Sequence, residues 1–125
     1  MLRFVSVAVL LSFSTLLVGS CSRKSDPAAS PAMSFQTDVL PVLSSYCGFA
    51  GCHGSSGGEA GALTTYDEVM NRGGIKPGDA HGSRLYRAIT GHDVGNNMPP
   101  KGYAAPTEQD KVRIYLWIEQ GALNN

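Results

Sequence analysis

Cys47-Gly48-Phe49-Ala50-Gly51-Cys52-His53-Gly54 is the stretch with the most chemically reactive side chains in the sequence. It places two thiols beside one imidazole, and four residues separate the cysteines. Gly48 and Gly51 lie between the thiols, and glycine reaches backbone conformations that are closed to other residues. We therefore expect this loop to bulge, so that both thiols and the histidine reach a single site.

A pair of cysteines followed directly by histidine is the residue order that attaches a haem covalently and then ligates its iron. Each thiol adds to one vinyl group of the porphyrin, which predicts Cys47 and Cys52 as the two thioether attachment points. His53 is then the predicted proximal ligand of the haem iron. The usual form of the motif has two residues between the cysteines, so the spacing here is a departure that the two glycines would accommodate.

Three other structures are consistent with paired thiols at these positions. A disulfide is favoured in an oxidising compartment. A zinc site is the second alternative, with His53, His81 or His92 completing the ligand set. A redox-active dithiol is the third, although the two-residue spacing of that class is missing. Histidine directly after the second cysteine favours haem, because a disulfide does not explain it and the spacing for zinc is poor.

Met98 is the predicted distal ligand of the iron. It lies in Asn96-Asn97-Met98-Pro99-Pro100, where the prolines fix an extended path and keep Met98 out of helical geometry. A thioether suits low-spin iron, and Met/His ligation raises the reduction potential relative to two imidazoles. The alternatives are a methionine that only packs, or His81 or His92 as the ligand.

The N-terminal residues 1–20 are typical of a lipoprotein signal peptide. Arg3 precedes an apolar run that is too short for a comfortable transmembrane span. The run ends in Leu17-Val18-Gly19-Ser20-Cys21, which resembles a bacterial lipobox and predicts lipidation of Cys21. A plain secretory signal with an unmodified cysteine is the alternative. A lipid on Cys21 would leave two cysteines for the folded domain and no odd thiol.

Composition divides the exported chain into a tether and one domain. Residues 21–33 are rich in Ser, Ala and Pro, which predicts a lipid-anchored flexible tether, and residues 34–125 form the predicted domain. Apolar residues recur at helical spacing and no alternating strand pattern appears, so the predicted class is all-α. Pro41 removes one backbone donor and predicts a kink in the first helix. The four predicted helices cover about 35–46 after the N-cap Ser34, 65–71 before Gly73, 83–90 before Gly91, and 107–120 from the cap Thr107 to Gly121.

The charge balance argues against nucleic acid as a partner. The 125-residue chain has ten basic and ten acidic side chains, without the basic stripe of a nucleic-acid-binding protein. No nucleophile–base pair or carboxylate dyad points to substrate turnover. We therefore expect an electron carrier rather than an enzyme, with peroxidase-like activity as the exception that an open iron position would allow.

Short motifs along most of the exported chain resemble a planctomycete-type cytochrome c domain, a small c-type cytochrome of lipid-anchored or secreted bacterial proteins. The resemblance implies a class I-like cytochrome c fold, with about four short helices and long Gly-rich loops around one covalent haem c. The motifs that carry it are Val39-Leu40-Pro41-Val42-Leu43, Cys52-His53-Gly54, Lys76-Pro77-Gly78-Asp79, Ser83-Arg84-Leu85-Tyr86, Met98-Pro99-Pro100 and Trp117-Ile118-Glu119-Gln120-Gly121-Ala122.

The resemblance also implies the site residues: Cys47 and Cys52 bind the haem covalently, His53 is the proximal ligand and Met98 the distal one. For an electron carrier, the expected partners are an unidentified redox donor and an unidentified redox acceptor. The lipid predicted on Cys21 adds a bacterial membrane as a partner, with the domain on its periplasmic or surface face.

Secondary contacts to the haem are also expected. The candidates for donating hydrogen bonds to the haem propionates are Tyr46, Tyr86 and Arg84. The carbonyl of Pro77 is the candidate acceptor for the second ring nitrogen of His53.

Two other functions are consistent with the sequence. If Met98 does not bind iron, the protein is a five-coordinate haem module that binds small ligands or peroxide. If no haem is attached, it is a disulfide-stapled lipoprotein without haem.

Overall fold

Helices are the regular elements of the part of the chain that the computed structural model describes, residues 26–56, 58 and 61–125. No strand occurs within those residues, and the predicted all-α class is confirmed there. The predicted signal peptide and the predicted lipidation site at Cys21 lie outside the described residues.

The first helical segment changes from π-helical to α-helical backbone next to Pro41. A π-helical turn, Phe35–Val39, leads directly into helix α1, Leu40–Tyr46. Ser34 caps the turn as predicted, and its hydroxyl accepts a hydrogen bond from the Thr37 amide. Pro41 lies in the first turn of α1, where its missing N–H is not needed. The predicted kink is therefore a junction between π-helical and α-helical backbone.

Helices α2, Tyr66–Arg72, and α3, Arg84–Ile89, are short. Thr65 and Glu68 form a reciprocal capping box at the start of α2. Ser83 is the N-cap of α3 but makes no capping hydrogen bond through its side chain. Its buried hydroxyl instead donates to the Asp79 carbonyl, at 2.8 Å, and accepts from the Lys76 amide, at 2.9 Å. The helix predicted over 83–90 is present with one residue fewer at each end, and Ser83 stabilises the turn before it.

Helix α4, Glu108–Glu119, is the longest element and begins at its predicted cap. The Thr107 hydroxyl accepts from the Asp110 amide, and the Asp110 carboxylate accepts from the Thr107 amide, both at 3.2 Å. Gly121 follows the helix with a φ of +102°, a conformation that glycine adopts without strain.

An aromatic cluster in the core joins the first and last helices. Trp117 is fully buried and its ring centroid lies 5.5 Å from that of Phe35, which lies 5.3 Å from that of Tyr66. Two hydrogen bonds to the C-terminal segment complete the cluster: Trp117 Nε1 donates to the Leu123 carbonyl and Tyr66 Oη to the Ala122 carbonyl, both at 2.9 Å.

Residues 26–33, part of the predicted tether, contact Gln120, the C-cap residue of α4. Pro27–Ala29 form one 3-10 turn, and Gln120 Nε2 donates to the carbonyls of Pro27 and Pro31 at 3.0 Å each. Gln120 Oε1 accepts from the Met33 amide at 2.8 Å. Among the described helices, none combines the length and the apolar character that crossing a membrane requires.

Candidate haem site

The loop that follows α1 closes on itself and brings its reactive residues together. The Cys47 amide continues the helix by donating to the Leu43 carbonyl at 2.8 Å. Further along, the His53 amide donates to the Cys47 carbonyl and the Cys52 amide to the Phe49 carbonyl, both at 3.0 Å. The four intervening residues therefore form a closed loop, with the histidine backbone returned to the first cysteine.

The two glycines of this loop are needed for different reasons. Gly51 has a φ of +83°, so the prediction that glycine supplies an unusual conformation is confirmed there. Gly48 is not in the left-handed region. A Cβ atom at Gly48 would lie 2.9 Å from the Ser44 carbonyl oxygen, so glycine is required there for close packing against α1.

The imidazole of His53 is fixed by a backbone carbonyl. Its Nδ1 atom lies 2.8 Å from the carbonyl oxygen of Gly61. This hydrogen bond orients the ring and leaves Nε2 as the nitrogen available to a metal. The prediction that the Pro77 carbonyl accepts from this ring is wrong, since the Gly61 carbonyl does so. Pro77 lies in a turn whose next residue, Gly78, donates its amide to the Ile118 carbonyl of α4.

Cys47 and Cys52 are free thiols in the structure. Cys47 is buried, while Cys52 is partly exposed. Burial, and secondarily the neighbouring Cys52, raises the pKa of Cys47 to about 11. The Cys47 side chain is therefore a protonated thiol at neutral pH, and its raised pKa argues against a reactive redox dithiol.

The predicted site residues line two neighbouring cavities. The larger, about 260 Å³, is lined by Cys47, His53 and Met98 among others. The smaller, about 180 Å³, shares these three residues and adds Cys52. Met98 is held in place by its own amide, which donates to the Ala88 carbonyl of α3 at 2.9 Å.

His81 and His92, the alternative candidates for the distal ligand, lie away from these two cavities. His92 is exposed, with Nδ1 3.1 Å from the Thr90 hydroxyl, and His81 packs edge-on against Tyr86 and Tyr115. Neither is among the residues that line the two cavities. Tyr86 is not among them either, so its predicted contact with a haem propionate is not supported by this arrangement. Within the described residues, no group of three or more His, Cys, Asp or Glu side chains is placed to hold a metal ion.

A comparison with known families identifies the same region. Residues 50–102 match the family model described as planctomycete cytochrome C. The resemblance to a planctomycete-type cytochrome c domain is confirmed over this stretch. The matched residues include Cys52, His53 and Met98, whereas Cys47 precedes them. No curated protein and no solved structure matches the chain.

The chemistry of the side chains fits the haem that a cytochrome c domain carries. His53 offers a ring nitrogen whose partner nitrogen is already bonded, and Met98 offers a soft thioether to the same cavity. Leu63, Leu85 and Ile89 supply apolar surface to the wall of that cavity. A haem would bury this surface against its own macrocycle.

Two charged residues of the cavity wall were not singled out by sequence reasoning. Arg72 and Asp93 line the larger cavity together with the predicted Arg84. Arg84 Nη2 donates to the Arg72 carbonyl at 2.7 Å, which ties the end of α2 to the start of α3. The signal that could have found Arg72 is its position at the end of a predicted helix, but nothing in the sequence indicates which way its side chain turns.

Proposed function

We propose that the protein is an exported, lipid-anchored monohaem c-type cytochrome that carries one electron at a time. Cys47 and Cys52 form the thioethers to a single haem c, His53 is the proximal ligand of its iron and Met98 is the distal ligand. The anchor is a lipid on Cys21, which holds the domain at the periplasmic or surface face of a bacterial membrane.

The hydrogen bond between His53 Nδ1 and the Gly61 carbonyl is the observation that carries this proposal. It is the contact that a haem-ligating histidine needs, because it sets the tautomer and leaves Nε2 free for iron. A histidine that merely fills a surface loop has no need of a buried backbone acceptor. The cavities that His53 shares with Met98 and Cys47 support the same assignment.

Met98 supports electron transfer over chemistry on a bound substrate. The bound haem would supply an iron that cycles between the ferric and ferrous states. A thioether in the sixth position would close the iron to small ligands and favour low-spin iron in both states. The partners are then a redox donor and a redox acceptor, which would approach the domain in turn.

The fold that we propose is class I-like, with the four described helices and their glycine-containing loops around the haem. Gly54 supports such a wrapping loop, because a Cβ atom there would lie 2.8 Å from the Gly48 carbonyl oxygen. The loop therefore packs too closely to admit a larger side chain. A haem would add apolar surface to a domain whose own core is small.

A haem-stained denaturing gel tests the proposal, because only covalently attached haem survives denaturation. The chain exported from cells that contain a haem-attachment system should stain, and the double variant Cys47→Ala, Cys52→Ala should not. A colourless wild-type band would favour a disulfide-stapled lipoprotein instead. The optical spectrum then separates the two haem functions: low-spin iron supports the carrier, while carbon monoxide binding without displacement of a native ligand supports a five-coordinate module.

A further inference from the structure

Asp93 is an acidic side chain in the wall of the proposed haem cavity. It lies in the loop between α3 and Met98, and it lines the larger cavity with His53 and Met98. Its Oδ2 atom is buried and meets no hydrogen-bond donor within the described part of the chain. Buried acceptors in proteins are nearly always hydrogen-bonded, so this carboxylate is unusual.

Arg72 and Arg84, the two arginines that line the same cavity, do not form an ion pair with Asp93. The ion pairs among the described residues are Lys111–Glu108 and Arg113–Asp110 on α4, and Asp93 takes part in neither. The Arg84 guanidinium donates to the Arg72 carbonyl at 2.7 Å. The Arg72 guanidinium lies against Gly61, where it occupies the position that a Cβ atom would take. Both cations are therefore placed by contacts with the backbone rather than by Asp93.

A haem would bring two more carboxylates to this cavity, its propionates. Guanidinium groups bind carboxylates through paired hydrogen bonds, so Arg72 and Arg84 suit one propionate each. That pairing would use both cations of the cavity wall. It would leave Asp93 without a counter-charge.

We infer that Asp93 lowers the reduction potential of the bound iron, an inference that rests on the proposed function. Ferric iron carries one more positive charge than ferrous iron, so a nearby carboxylate stabilises the ferric state more. The interaction is stronger inside a protein than in water, because the effective dielectric constant is lower. Asp93 and Met98 then act in opposite directions on the potential, since methionine ligation raises it.

Potentiometric titration of the haem-loaded protein tests this inference. Asp93→Asn removes the charge at nearly constant volume, and we expect a higher reduction potential with the low-spin spectrum retained. Asp93→Glu keeps the charge and should stay near the wild-type value. Asp67→Asn is the control, because Asp67 is exposed on α2 and does not line the cavity. A potential in Asp93→Asn that is unchanged or lower overturns the inference.

Unfolding of the haem-free protein gives a second, independent measurement. Because the buried Asp93 oxygen has no donor, Asp93→Asn should be at least as stable as the wild type. A marked loss of stability would show that the carboxylate has a partner in the folded chain, and would overturn the inference as well. A wild-type protein without covalent haem would instead overturn the proposed function, and the denaturing gel shows this before any titration.

Discussion

The Nδ1 atom of His53 lies 2.8 Å from the carbonyl oxygen of Gly61, and this contact connects the thiol loop to the wall of the larger cavity. Gly61 adopts a φ of +74°, which places its carbonyl where the imidazole can reach it. The same glycine leaves room for the Arg72 guanidinium. One residue therefore positions both the proposed iron ligand and a cation of the cavity.

Gly61→Ala should damage the site as well as the fold. The new side chain is strained at this φ, which costs about 1–2 kcal/mol of folding free energy, and it collides with the Arg72 guanidinium. Gly78→Ala is the matched control, because Gly78 has a φ of +80° with no atom within 4 Å of the Cβ position. Denaturant unfolding should show a loss in both variants, whereas only Gly61→Ala should change the spectrum of the haem-loaded protein. Equal spectra in the two variants would contradict this role for Gly61.

Met98→Leu should open the sixth position of the iron. Leucine keeps most of the volume and the apolar character, but it offers no sulfur. We expect high-spin iron that binds carbon monoxide without displacing a native ligand, together with a lower reduction potential. Met70→Leu is the control, because Met70 packs against the core and does not line either cavity of the site. A low-spin Met98→Leu protein would show that another residue ligates the iron.

The haem-free protein should lose stability in alkaline solution through Cys47. Its pKa is raised from 9.0 to about 11 on folding, chiefly by burial, so the folded state binds the thiol proton more tightly than the unfolded state. The resulting stabilisation is fully present below pH 9, decreases as the pH rises and is lost above about pH 11. A shift of this size corresponds to about 2–3 kcal/mol.

The comparison of wild type with Cys47→Ala isolates the pH-dependent contribution of the Cys47 thiol to the free energy of unfolding. Burial also raises the pKa of Tyr86, and both proteins retain this effect. Unfolding free energies measured with denaturant across the alkaline range should therefore fall more steeply in the wild type. Parallel pH profiles would contradict the burial of the thiol.

The capping box of α4 should contribute to stability in a pH-dependent way. The Thr107 hydroxyl donates to the Asp110 carboxylate at 2.7 Å, which lowers the pKa of Asp110 against the opposing effect of burial. Thr107→Val should cost about 1 kcal/mol near neutral pH. Because the pKa is lowered on folding, this contribution is present above the ordinary value of 3.8 and is lost as the pH falls through the lowered pKa. The stability difference should therefore narrow in acid, and a difference that does not vary with pH would contradict the assignment.

The helices were predictable because their signals are local. Thr107 and Asp110 are three residues apart, and their side chains bond within the same turn. Ser83 shows the limit of such signals. It occupies the N-cap position of α3, but tertiary contacts with Lys76 and Asp79 use its hydroxyl. The π-helical turn before Pro41 was also missed, because a sequence shows the absent donor without showing how the backbone adjusts.

The site was predictable as far as residue chemistry determines it. The structure brings Cys47, Cys52, His53 and Met98 to two adjoining cavities, although Met98 lies 45 positions after His53 in the sequence. The carbonyl partner of His53 was assigned to Pro77 and is Gly61. Any residue can supply a backbone carbonyl, so side-chain identity gives no signal for it. The positions of Arg72 and Asp93 in the cavity wall were unpredictable for a related reason, since neither belongs to a motif that indicates where its side chain lies.

The intact mass of the exported protein under denaturing conditions shows directly whether Cys47 and Cys52 carry a haem. We expect a mass equal to the processed chain plus one haem for the wild type. We expect no added haem for the double variant Cys47→Ala, Cys52→Ala. A wild-type chain exported from cells that attach haem to other proteins, but with no haem on Cys47 and Cys52, would contradict the proposed covalent attachment.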